Sequence, residues 1–217
     1  MEPAPGPAPG PALGQAPGDP SCRTHLAALL AGLGAARAEA AAGALIDEFG
    51  SLAAVLAAEP AAQQRVVGDG DMVRVLQAAR AAMLHALRSE ATAAPILSDS
   101  AALLDYLMLD QAHAPVERLR VLYLNGQNAL LGETVTDGTV NEAACYPREI
   151  LKRALELGAT ALILVHNHPS GDLSPSQGDL QITRAIAGVG RTLRVVVHDH
   201  LILSRNGWTS FKALGLL

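Results

Sequence analysis

The chain has 217 residues, half of them hydrophobic and only 3% aromatic, with a formal net charge of −5. That is apolar material enough for one large domain or two small ones, yet no run approaches the roughly 20 residues of a membrane-spanning helix, and no global basic field marks a nucleic-acid partner. Cys22 and Cys145 lie far apart with no Cys-x-x-Cys pair, which points away from a disulfide framework or thiolate zinc site and toward a reduced, cytoplasmic setting.

Residues 1–20 are rich in Pro, Gly and Ala and lack the basic start and apolar centre of a signal peptide; they read as a flexible tail. Residues 21–90 read as a small all-helical domain. Leu26, Leu29, Leu30 and Leu33 mark one apolar face, 41–49 a second and 52–58 a third. A longer helix over 72–87 carries Val73, Leu76, Ala79, Met83, Leu84 and Leu87. Gly32, Gly34, Gly50, Pro60, Gly68 and Gly70 punctuate the pattern. Arg65-Val-Val-Gly-Asp-Gly70 ahead of a helix resembles a helix-hairpin-helix turn, as at the front of RadC proteins, in which glycine-turn amides hold a DNA phosphate. Here Asp69 and Asp71 stand at that mouth, and 1–95 holds six arginines against nine acidic residues. N-capping aspartates in a packing module are the favoured reading, and DNA is not the favoured partner.

Residues 91–99 read as a linker and 100–217 as a second domain. A helix is predicted over 101–109. The alternation from Leu119 to Leu124 predicts a strand, Asn125-Gly126 a hairpin turn, and 129–136 the return strand. Pro147 opens a helix over 148–157, stopped by Gly158. A buried strand over 161–165, a helix over 177–187 and strands over 193–197 and 200–203 complete the pattern. Strands interleaved with helices predict an α/β sandwich around a mixed sheet.

The chemistry concentrates after the buried strand, in His166-Asn-His168-Pro-Ser-Gly-Asp172, followed by Ser176-Gln-Gly-Asp179. Residues two apart on a strand project from one face, so His166 and His168 can aim their imidazoles at one spot. A carboxylate from just beyond would leave a tetrahedral metal with one open position, the pattern of a hydrolytic zinc site. Structural histidines are the competing reading, Ser176-x-x-Asp179 also fits a capping box, and Asp172 fits a turn.

The same residues resemble a known family. His-x-His, then Ser-x-x-Asp, is similar to the metal signature of the JAMM (MPN-type) metallopeptidases. The fuller string from His166 to Asp179, with Asp199-His-Leu-Ile202, resembles their RadC branch. The match extends upstream through Gly138-Thr139 and Tyr146-Pro-Arg-Glu149, and downstream to Ser210. The resemblance implies a deaminase-like layered α/β fold, zinc held by His166, His168 and Asp179, and a glutamate base from an early strand. Glu117 is favoured for that base on the family pattern, with Glu133 on the partner strand as the alternative. It further implies that Ser176 helps hold an oxyanion. Asp199 and His200 are candidates for orienting a ligand histidine, against plain sheet packing.

Three functions compete at this point. The leading one is a zinc-dependent hydrolase acting on a peptide or isopeptide bond in a peptide or protein substrate. The second is a non-catalytic DNA-repair-type protein with structural zinc. The third is an interaction scaffold, against which the intact ligand set counts. Oligomeric state is not legible.

Overall fold

A computed structural model describes residues 19–138 and 147–217. The expected tail (but for Asp19 and Pro20) and the family-like positions Thr139 and Tyr146 lie outside the described residues, as does Cys145. The chain divides into two compact units, with the break at Leu87/Arg88 inside a helix.

The first unit is helical. It contains α1 (Pro20–Leu30), a 3₁₀ turn (Ala31–Leu33), α2 (Ala35–Phe49), α3 (Leu52–Ala57), α4 (Pro60–Val67) and the start of α5 (Gly70–Thr92). Each boundary has a local cause. Asp19 accepts from the Ser21 amide and Ser51 from Ala54, which satisfies amides otherwise orphaned at a helix start. Gly50 and Gly68 end α2 and α4 in the left-handed conformation. Leu26, Leu30, Leu45, Val55 and Leu76 are fully buried in the core. Two residues assigned by periodicity to apolar faces, Leu29 and Met83, are exposed. Pro60, which in sequence resembles a break, instead begins α4, because proline suits the first turn of a helix, where its missing N–H costs nothing.

The second unit begins with the end of α5. The segment 91–99, expected to be linker, ends α5 at Thr92 and is then irregular and mostly exposed, pinned at Ile96, which is 2% exposed and whose amide donates to the Asn128 carbonyl at 2.8 Å. Then come α6 (Ala101–Gln111), β1 (Arg118–Leu124), β2 (Leu130–Asp137), α7 (Pro147–Leu157), β3 (Ala161–Asn167), α8 (Gln177–Thr192), β4 (Val196–Ser204) and β5 (Gly207–Ser210). The sheet order is β2-β1-β3-β4-β5, with β3 and β4 parallel and the other pairs antiparallel. Leu119, Val121 and Tyr123 of β1 and Leu162 and Leu164 of β3 face α7 and α8 in one core. The alternate residue Arg120 points the other way, onto Tyr106, Asp110 and Gln111 of α6. The result is the expected layered α/β sandwich on a mixed sheet.

The hairpin expected at Asn125-Gly126 forms, through a loop in which Asn125 N–H donates to Ala129 O, the Asn125 side chain accepts from the Gln127 and Ala129 amides, and the positive φ falls on Asn128. Two other local expectations are corrected. The two strands expected over 193–197 and 200–203 are one nine-residue strand beginning at Val196, preceded by Arg194 at φ 58°. Its register with β3 slips between Val197 and Asp199, a bulge that places His198 out of step. The short β5 was not foreseen.

The step from α8 into β4 is tight. A Cβ on Gly190 would stand 2.5 Å from the Val195 carbonyl oxygen, a backbone atom that cannot turn aside. Gly190→Ala is therefore expected to destabilise the protein by about 1–3 kcal/mol, as over-packing does, measured as a lower urea midpoint with unchanged slope.

Candidate metal centre

On β3, His166 continues the face of Leu162 and Leu164 that meets α8, and the N-terminus of α8 delivers Asp179 to the same place. The Nε2 atoms of His166 and His168 and a carboxylate oxygen of Asp179 all lie within 4.8 Å of one another. It is the one such cluster among the described residues. His168 Nε2 is 3.3 Å from Asp179 Oδ2, and His166 Nε2 is 3.9 Å from Oδ1. The two rings meet edge to face, centroids 5.1 Å apart.

The outward nitrogens fix how the rings present. His166 Nδ1 lies 3.0 Å from the Arg118 carbonyl, and His168 Nδ1 lies 2.9 Å from that of Asp172. A carbonyl only accepts, so each Nδ1 carries a proton and Nε2 is the nitrogen aimed at the cluster; at His168 it donates to Asp179 while protonated and offers a lone pair once that proton leaves. Backbone carbonyls, not the expected Asp199 or His200, orient these rings. Asp199 instead accepts from Ser210 Oγ at 2.6 Å and the Lys212 amide at 3.0 Å, anchoring the end of β5 and the residues after it.

Ser176 caps α8 in a full capping box with Asp179. Its hydroxyl accepts from the Asp179 amide and donates to Asp179 Oδ2 at 2.6 Å, while its own amide also donates to Oδ2. The single hydroxyl proton thus steadies the carboxylate in this arrangement rather than facing an oxyanion. The other carboxylate oxygen, Oδ1, is buried with no hydrogen-bond partner among the described residues. Leaving a buried anionic oxygen unpaired is costly, and a cation at that atom removes the cost.

Electrostatics agree with that arrangement. Burial pushes the Asp179 carboxyl up, but hydrogen bonds from His168 and Ser176 outweigh it and hold it below the usual carboxylate range. The bond to Asp179 raises His168, whereas burial lowers His166. His200 sits deeper, fully buried and pushed by that burial down to about 3, so its ring stays neutral. Thr183 Oγ1 donates to the Asp179 carbonyl, so His200 Nδ1 must donate to Thr183, 2.6 Å away. The ring stacks on Phe211. Through Thr183 it braces the first turn of α8, so the imidazole bears on the site indirectly.

The two glutamates separate clearly. Glu117 Oε2 lies 3.9 Å from His166 Nε2, at the mouth of the cluster. Glu133 faces the other side of the sheet, where its two oxygens pair with Arg120 and Arg88, each at 2.8 Å. Asn167, to which the motif pattern assigns no chemistry, is fully buried between the two histidines. Its side chain donates to the Val116 carbonyl and accepts from the Arg118 amide, so it holds the backbone on both sides of Glu117. A signal existed: an amide wedged between two candidate ligands at a strand end needs partners of its own. Asn167→Ala is expected to cost about 1–3 kcal/mol per buried group left unsatisfied, read by chemical denaturation.

A layered α/β unit with this sheet, carrying an acidic and imidazole cluster at a strand end, is a JAB/MPN-like domain. The chain belongs to the RadC-like JAB domain family, whose model matches residues 97–216. It is also 47% identical over 175 residues to a UPF0758 protein of Rhodobacter capsulatus, a match covering 80% of this chain and 82% of that protein. No helix among the described residues is long and apolar enough to cross a membrane.

Proposed function

We propose that the second unit is a zinc-dependent hydrolase of peptide or isopeptide bonds, with His166, His168 and Asp179 as ligands and Glu117 as general base. The observation that carries the reading is Asp179 Oδ1, a buried carboxylate oxygen with no hydrogen-bond partner among the described residues, beside two imidazoles whose Nδ1 atoms are committed to backbone carbonyls and whose Nε2 atoms face the cluster. Two nitrogens and one oxygen suit zinc. When bound, the metal would supply Lewis acidity beside a position open to substrate.

The remaining work falls to the chain's own groups. Glu117, one-third exposed and held by Asn167 from both sides, can take a proton from an attacking water and return it to the leaving amine. Ser176 keeps Asp179 aimed by binding its other oxygen. The test is twofold: metal analysis of purified protein, with about one zinc per chain expected, and peptidase assays on folded and unfolded substrates. Metal-free protein from a metal-replete preparation would sink the reading.

DNA is not part of this proposal. The Asp69 carboxylate accepts from the Asp71 and Met72 amides at the start of α5 and pairs with Arg37. A phosphate there would have to displace an anion already in place. Residues 21–90 are expected to bind duplex DNA weakly or not at all in a low-salt anisotropy titration. Micromolar binding that falls steeply with salt, and falls further in Arg65→Ala, would reverse this.

A further inference from the structure

The loop that follows His168 has internal bonds from the Gly171 amide to His168 O at 3.1 Å and from the Asp172 amide to Ser170 Oγ at 3.3 Å, but its outward carbonyls are held from elsewhere. Of the consecutive carbonyls of Pro169, Ser170 and Gly171, each is taken by a donor from one short turn, Ser204-Arg205-Asn206, between β4 and β5. Arg205 Nη1 donates to Pro169 O and Nη2 to Ser170 O, both at 3.1 Å. Asn206 Nδ2 donates to Gly171 O at 2.8 Å, and the buried Ser204 hydroxyl donates to the same oxygen at 3.2 Å while accepting from the Asn206 amide. The His168 amide itself donates to Leu203 O at 2.8 Å. The two segments also touch closely. Gly171 sits at φ +92°, and a Cβ there would stand 2.9 Å from Asn206 Nδ2 and 3.1 Å from Arg205 Nη2. This loop ends at Asp172, whose carbonyl orients the His168 ring.

We infer that Arg205 and Asn206 are positioning residues for His168: by clamping residues 169–171 they fix the Asp172 carbonyl and so the direction of the His168 Nε2 lone pair. Neither side chain touches the cluster. They act on it through five residues of backbone, so their removal changes how well the ligand set is preformed, not which atoms compose it. The inference rests on the metal reading above, because preorganisation of His168 matters only if its nitrogen is a ligand.

The test uses the full chain with Arg205→Ala/Asn206→Ala and Arg205→Lys, and two measurements. The first is zinc affinity by chelator competition, backed by the visible absorption of the cobalt-substituted protein, which reports ligand geometry. The double variant is expected to bind zinc about 10–100-fold more weakly, the loss typical when a ligand's supporting partners are removed, with an altered cobalt spectrum; Arg205→Lys, which keeps one donor, is expected to recover part of it. A merely structural brace would lower the melting temperature and leave both untouched. The second measurement is amide hydrogen exchange in metal-free protein. Faster exchange at Gly171 and Asp172, with β3 and α8 unchanged, supports the clamp; unchanged exchange there overturns it. Unchanged zinc affinity in the variants likewise overturns it. If the wild-type chain takes up no zinc, the metal reading fails, while the exchange result still decides whether the turn holds the loop. Should the double variant not fold, Arg205→Ala alone, at an exposed side chain, is read by the same criteria.

Discussion

His168→Ala protein is expected to emerge with essentially no zinc, against about one per chain in the wild type, while the fold survives. Removing one of three ligands leaves two donors, too few for a tight site. The fold survives because His168 lies beyond the last residue of β3, and its backbone bond to Leu203 does not depend on the side chain. Elemental analysis by mass spectrometry, with far-ultraviolet circular dichroism as the control for folding, measures both. Wild-type zinc content in the variant would remove His168 from the ligand set.

The same residue predicts a pH dependence. In metal-free protein the hydrogen bond to Asp179 raises the His168 pKa above its ordinary 6.5. A raised folded-state value means that the pair's contribution is fully present below 6.5 and is lost as pH rises through the folded pKa. A ligand nitrogen must be bare, so zinc competes with that proton. Zinc uptake near neutrality is therefore expected to release protons and to weaken on acidification, which calorimetry in buffers of different ionisation enthalpy would detect.

Glu117→Gln is expected to lower turnover about 10²–10⁴-fold, the usual contribution of a general base, and to leave zinc in place. The amide keeps the size and much of the hydrogen bonding of the carboxylate but cannot take a proton. Glu133→Gln has the opposite signature. Its carboxylate pairs with the buried Arg120 and with Arg88 on the far side of the sheet, so stability falls and turnover in the folded fraction stays. Reversal of these two outcomes, measured on any peptide substrate the wild type cleaves, would transfer the role of base to Glu133.

Much was legible in the chain because local rules act on neighbours. A continuous apolar run placed β3, period-two geometry put His166 and His168 on one side, and Ser176-x-x-Asp179 announced the cap that begins α8. Proline and glycine marked most helix ends. What pattern reading lost was settled by contacts between distant segments. The polar pair His198-Asp199 looked like a gap between two strands; it lies inside β4, bulged at His198, with His198 bonded to Asn128 and Asp199 to Ser210. Spacing alone does not separate Glu117, just ahead of β1, from Glu133 on β2, and only the family pattern favoured Glu117. Pleat and pairing set Glu133 against two arginines, while Asn167, some fifty residues later, fixes the backbone around Glu117 beside the histidines. Residue type and spacing thus determined which atoms can bind a cation. Only the folded sheet decided which acid stands beside them and which neighbours hold them still, because hydrogen bonds and ion pairs depend on distances of a few ångströms between residues far apart along the chain.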